Sequence, residues 1–194
     1  PGAKVMTMKV VFEKDTWKLL GAQIVGTEGV DKRLDVLATA MHAGMKANML
    51  KDLDLAYAPP FSSAKDPVNM AGFMIENIRN GFVKQYHWDE IAGLPRDGSV
   101  TLLDTRTAYE YKSGHIDGYI NIPVDDLRER MNEIDDSKPV YVICQSGLRS
   151  YIACRILTQN GFDCYNFSGG YRFYASVIKE KEMSEYTYPC GMEK

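Results

Sequence analysis

Cysteine is scarce and unclustered in this chain of 194 residues. The four cysteines are Cys144, Cys154, Cys164 and Cys190, and none forms the close pair that a zinc site needs. Four in this length are too few for a disulfide scaffold, so reduced thiols, a cytoplasmic setting and no metal site are expected. No apolar run approaches the ~18 residues that span a bilayer, and no signal peptide is expected. Positive charge is concentrated nowhere. Net charge is −3 with Lys and Arg spread along the sequence, which argues against nucleic acid or a membrane surface as partner. Low-complexity tracts are missing too, and 45% hydrophobic with 25% charged residues is ordinary for a globular protein. The dinucleotide fingerprint Gly-x-Gly-x-x-Gly does not occur. An initiator Met is lacking as well: the chain opens at Pro1 and enters a strand pattern almost at once, as expected of a piece of something longer.

What is present divides into two halves, with the boundary expected at Asn80-Gly81. In residues 4–26, Met6, Met8, Val10 and Phe12 alternate with other side chains, Lys14-Asp15 begins a turn, and Trp17 to Val25 returns, which reads as an antiparallel hairpin. From Asp31 to about Leu50, Leu34, Leu37, Met41 and Met45 recur at helical steps, with Ala38, Ala40 and Gly44 as small faces. A second helix is expected from Asp66-Pro67, an N-cap followed by proline, through Met70, Phe73, Met74 and Ile78 to Asn80. Two strands and two helices this rich in Met, Leu and Phe have little to bury against internally. Packing on a partner subunit, or on more of the same chain, is expected. In residues 82–190, short apolar runs at 100–103, 119–122, 140–143 and 164–167 are separated by helical or turn segments, including 107–112, 125–131 and 150–160. That alternation argues for an α/β domain, doubly wound around a mainly parallel sheet covered on both faces.

The stretch Cys144-Gln145-Ser146-Gly147-Leu148-Arg149-Ser150 follows the run Val140–Ile143 directly. A strand thus delivers a thiol into a short loop that closes on an arginine, with a helical pattern from Ser150. In such sheets ligands bind beyond the carboxyl ends of the strands. Loop N–H groups, a helix N-terminus and a guanidinium would each favour the charged sulfur, which is the reactive form. Ser146 and Ser150 can each bond the sulfur or cap the helix.

Several separated pieces together resemble a rhodanese domain: Asp104-Thr105-Arg106, Glu110, Gly114-His115-Ile116-Asp117-Gly118, Asn121-Ile122-Pro123, the 144–150 loop and Ser168-Gly169-Gly170-Tyr171. The resemblance covers about 105 residues, with Tyr119 departing from the alanine often found there. It implies that Cys144 carries a persulfide and that the N–H groups of Gln145, Ser146, Gly147, Leu148, Arg149 and Ser150 cradle an anionic sulfur donor. The first half resembles the dimerisation domain of pyridine nucleotide-disulfide oxidoreductases, in the coenzyme A-disulfide reductase branch. This rests on residues 21–26, 29–33, Tyr57-Ala58-Pro59-Pro60-Phe61-Ser62 and Lys65-Asp66-Pro67. Residues 1–80 would be that domain, incomplete at its start, and residues 82–190 a rhodanese-like sulfurtransferase. The pairing resembles coenzyme A-disulfide/persulfide reductase–rhodanese fusions. It implies FAD, NADH and coenzyme A for the full-length enzyme, with no cofactor in this fragment. It also implies a homodimer through residues 1–80 and a possible place for Tyr57 in the partner subunit's active site.

Three functions are expected to compete. The first is sulfur transfer from a small-molecule donor to a thiol acceptor through Cys144. The second is a phosphatase-like or arsenate-reducing reaction at the same cysteine, against which the Cys144-x4-Arg149 spacing counts, since such phosphatases use a longer Cys-x5-Arg loop. The third is a non-catalytic binding or redox-reporting module. Asp104 with Arg106 is expected to be a structural pair, His115 a packing residue, Cys154 and Cys164 core, and Cys190 an exposed tail residue.

Overall fold

The computed structural model describes residues 4–59 and 62–186, without the side chains of 182–186, so Pro60, Phe61 and Cys190 lie outside the described residues. The chain divides into two compact units, Pro1–Gly81 and Phe82–Lys194.

In the first unit, β1 (Met6–Phe12) pairs antiparallel with β2 (Leu19–Gly26), with a bulge between Val11 and Phe12. Alternation puts Met8, Val10 and Phe12 on one face of β1, against a core that includes Leu19, Leu37, Leu50, Val68 and Ile75. Helix α1 (Val30–His42) is shorter than its apolar periodicity suggests. Gly44, read from sequence as part of a small face, takes φ +71 and stops it. A 3₁₀ segment, Ala47–Asp52, then buries Ala47 and Leu50.

Helix α2 (Pro67–Arg79) begins as its sequence dictates: Asp66 accepts from the Val68 N–H at 3.0 Å, and Asn69 Oδ1 accepts from the Asp66 N–H at 3.2 Å. Its methionines do not mark its buried face. Val68, Asn69, Gly72 and Ile75 are buried, while Met70 and Met74 are exposed. Gly72 decides this, because a Cβ there would lie 2.2 Å from the Lys51 nitrogen, and only glycine lets the helix approach the 3₁₀ segment so closely.

The second unit is the expected α/β layer structure, and its sheet is wholly parallel. The strands β3 (Lys84–Tyr86), β4 (Thr101–Asp104), β5 (Ile120–Asn121), β6 (Val140–Ile143) and β7 (Cys164–Phe167) lie in the order β3-β7-β6-β4-β5. Helices α3 (Ala108–Lys112), α4 (Leu148–Gln159) and α5 (Gly170–Tyr186) follow β4, β6 and β7. Neighbouring residues serve opposite faces: Leu103 and Val142 join a cluster with Ala153 and Leu157, while Leu102 and Ile143 join Tyr86, Tyr119 and Phe167. With both faces covered, the strands read as continuous apolar runs rather than alternating ones. Residues 125–130 form turns and lead into a short 3₁₀ segment, Met131–Glu133.

From β4 the chain crosses to β5 on one side, then returns to place β6 on the other. The β4/β6 junction is therefore the switch point of the sheet, the place where ligands bind in sheets of this kind. Both Thr105, after β4, and Cys144, after β6, emerge there. The Thr105 N–H and hydroxyl each donate to the Ile143 carbonyl, at 2.9 and 3.0 Å. Among the described residues no helix is long and apolar enough to cross a membrane, and no group of three or more His, Cys, Asp or Glu could hold a metal ion.

Candidate active site

Cys144 is the first residue past β6 and is buried. Its Sγ accepts from the Gly147 N–H at 3.1 Å and from the Ser150 hydroxyl at 3.2 Å. The loop can curl back on the sulfur because Gly147, at φ +105, takes a conformation that a side chain would oppose. Gly147 is also the N-cap of α4, so the helix begins at Leu148, two residues earlier than its sequence pattern suggested. The sulfur thus sits at a helix N-terminus, where N–H groups are unpaired and the dipole favours negative charge.

The loop's carbonyls are tied from the other side. The N–H groups of Tyr171 and Arg172, in the first turn of α5, donate to the carbonyls of Cys144 and Gln145 at 2.8 and 3.2 Å. Because a peptide's N–H points opposite to its C=O, anchoring these carbonyls toward α5 aims the N–H groups of Gln145 and Ser146 away from it. Gly170 makes this approach possible. A Cβ there would fall 2.5 Å from the Ser146 nitrogen and 2.6 Å from the Gln145 carbonyl group.

A buried ion pair braces the same corner. The Arg106 guanidinium contacts both Asp104 oxygens, with Nη2 at 2.7 Å from Oδ2, donates to the Gly114 carbonyl at 2.8 Å, and lies 3.9 Å from the centre of the Tyr171 ring. Asp104, Arg106 and the Tyr171 backbone are thereby linked to the thiol loop without touching the sulfur. Breaking such a buried pair by removing one partner costs about 3–5 kcal/mol.

Arg149, which closes the loop, pairs with Glu110 on α3: Nη1 and Nη2 donate to Oε2 and Oε1, both at 2.7 Å. Glu110 also accepts from the Thr107 N–H and hydroxyl, each at 2.9 Å, which completes the capping box of α3. Its carboxyl is held down to about 2, chiefly by Arg149 and less by Thr107. The motif Thr107-x-x-Glu110 is a recognisable helix start. Its pairing with an arginine 39 residues away has no local signature, and the sequence reading missed it.

The remaining candidates fall as follows. Ser146 is exposed, and the donors to the sulfur are Gly147 and Ser150. Gln145 contributes the carbonyl tied to α5, and Leu148 projects into solvent. His115 stacks on Tyr111 and its Nδ1 lies 3.1 Å from the Tyr111 carbonyl oxygen. Cys154 and Cys164 are buried thiols. Burial pushes Cys154 far up, and it pushes Cys164 up to about 12, so both are inert near neutrality. Tyr57 lies in the first unit on an exposed irregular segment.

Residues 87–176 match the rhodanese-like domain model, and residues 1–68 match the pyridine nucleotide-disulphide oxidoreductase dimerisation domain model. The solved structure of reduced Bacillus anthracis CoADR-RHD is similar over 93% of this chain and 32% of its own, at 46% identity and a TM-score of 0.89. A NAD-dependent persulfide reductase from A. fulgidus is similar over 88% of this chain and 30% of its own, at 39% identity and a TM-score of 0.76. The coenzyme A disulfide reductase of Staphylococcus epidermidis is 44% identical over 73 residues, which are 38% of this chain and 17% of that protein. The chain thus spans a third or less of each of these relatives.

Proposed function

Since this chain joins a pyridine nucleotide-disulphide oxidoreductase dimerisation domain to a rhodanese-like domain, the pairing of coenzyme A-disulfide/persulfide reductase–rhodanese fusions, we propose that its second unit transfers sulfane sulfur through a persulfide on Cys144. The observation that carries this reading is the sulfur's position. It lies at the carboxyl end of a central parallel strand, under two hydrogen-bond donors, at the start of the six-residue stretch Cys144–Arg149 that runs into α4.

In the first step the Cys144 thiolate attacks the outer sulfur of a donor. A new S–S bond forms on Cys144, the donor's own bond to that sulfur breaks, and the electron pair leaves with the donor remnant: a thiolate from an organic persulfide, or sulfite from thiosulfate. The persulfide that results is anionic, and the loop N–H groups stabilise it as they stabilise the thiolate. In the second step an acceptor thiolate takes the outer sulfur and returns Cys144 to its starting form.

One nearby carboxylate argues against phosphatase chemistry. Glu110 stays ionised down to about pH 2, so it offers no proton to an alcohol leaving group. The family implies FAD, NADH and coenzyme A for a longer enzyme, in which the flavin would supply reducing power. No dinucleotide fingerprint occurs in this sequence to hold FAD or NADH, and no step above passes through them.

Intact mass tests the reading. Incubation with thiosulfate or an organic persulfide should add one sulfur, about 32 Da, removable by cyanide. Cys144→Ser should abolish the gain, and a gain that survives the substitution overturns the proposal.

A further inference from the structure

Glu110 occupies the guanidinium of Arg149. The pairing is two-pronged, both distances are 2.7 Å, and each side chain is about 30% accessible. Glu110 is the pre-fixed partner, because Thr107 already holds its Oε2 by two hydrogen bonds. The guanidinium belongs to the segment that carries Cys144, five residues along the chain. The loop therefore offers the sulfur an N–H donor while the charge of its arginine is met by Glu110.

We propose that Glu110 is a specificity-determining positioning residue: by neutralising Arg149 it biases the Cys144 site toward neutral or singly charged sulfane donors and against doubly charged ones such as thiosulfate. A free guanidinium beside the thiol would reward each additional negative charge on the donor. A paired one rewards it little. The biological meaning rests on the sulfur-transfer reading. The masking of Arg149 does not, and it can be measured with reagents that carry no sulfur.

The test compares alkylation of Cys144 by iodoacetate, an anion, and by iodoacetamide, its neutral counterpart of similar size, with site occupancy read by peptide mass. Glu110→Gln keeps a carbonyl acceptor for the Thr107 N–H but removes the negative charge. It is expected to raise the iodoacetate-to-iodoacetamide rate ratio about tenfold, and added salt should erase the gain. The double variant Glu110→Gln with Arg149→Gln replaces one neutral pair by another, and its ratio should match wild type within about twofold. In wild type the ratio should hold steady from about 20 to about 500 mM NaCl, a measurement that requires no variant to fold. With sulfur donors, Glu110→Gln should raise kcat/KM for thiosulfate relative to a monoanionic alkyl persulfide by a similar factor, mainly through KM.

An unchanged ratio in Glu110→Gln overturns the inference. So does a rise that persists once Arg149 is removed, or a wild-type ratio that falls steeply with salt. If the ratio shifts as expected while no donor loads sulfur onto Cys144, masking stands and the sulfur-transfer reading fails. If donors load sulfur but the ratio is flat, the inference fails alone.

Discussion

A hydroxyl carries one proton, and that of Ser150 lies 3.2 Å from both Cys144 Sγ and the Gly147 carbonyl oxygen, so two acceptors compete for it. When the sulfur is a thiolate, the charge-assisted bond is the stronger, about 1.5–3 kcal/mol against roughly 1 for a neutral one. Ser150→Ala should therefore slow iodoacetamide modification of Cys144 at pH 7 by about tenfold, while Ser146→Ala leaves it within about twofold. Equal effects from the two serines would refute this division of roles. The sequence presents the two serines alike, because each lies near a helix start and spacing does not say where that helix begins. Gly147 settles it: with the N-cap there, Ser150 is the third residue of α4, in the first turn, and its hydroxyl reaches the sulfur. The reactive thiol itself was readable from a strand, a short loop and an arginine. The partner of that arginine was not, since Glu110 comes from a different crossover.

At the scale of elements, the thiol loop depends on α5, whose first turn grips two of its carbonyls. Gly170→Ala would introduce a Cβ 2.5 Å from the Ser146 nitrogen at a residue with φ +72. Left-handed backbone for alanine costs about 1–2 kcal/mol, and overpacking adds about 1–3. A loss of roughly 2–5 kcal/mol in urea unfolding is expected, together with at least a tenfold drop in persulfide loading as the loop is pushed off its anchors. Gly161→Ala is the control. At φ +92 it meets the backbone cost, but nothing lies within 4 Å of its Cβ, so stability should fall with sulfur loading intact. Comparable loss of loading in both variants would show that α5 does not position the loop. The central strands were legible because residues buried on both faces leave unbroken apolar runs. Strand β3 was not, since Lys84-Gln85-Tyr86 lies at an edge of the sheet and only Tyr86 is buried. The end of α1 was hidden for another reason: Gly44 fits a small helical face as well as it fits a left-handed stop, and the sequence alone does not choose.

At the scale of the whole molecule, the first unit is apolar on more sides than its own core uses. Helix α2 buries Val68, Gly72 and Ile75, yet Met70 and Met74, one turn apart, are 45% and 50% exposed. Leu34 and Met41 of α1 are exposed as well. A helix apolar on two sides has no single inward stripe to read, which is why the periodicity picked out the Met70 face while Gly72 turned the opposite face toward the core. We propose another copy of the chain as the occupant of this face, in line with the match of residues 1–68 to a dimerisation domain model. Burying one methionine contributes about 1.5–3 kcal/mol, and a two-fold interface counts each substitution twice. Replacing Met70 and Met74 together by lysine would then remove roughly 6–12 kcal/mol, against the ~8 that holds a micromolar dimer. Sedimentation velocity at about 10 μM should show a dimer for the unaltered chain and a monomer for the double variant. Persulfide loading on Cys144 should be retained, because the second unit has its own core. A chain that is monomeric from the outset, or a double variant that still sediments as a dimer, would remove this face from the interface.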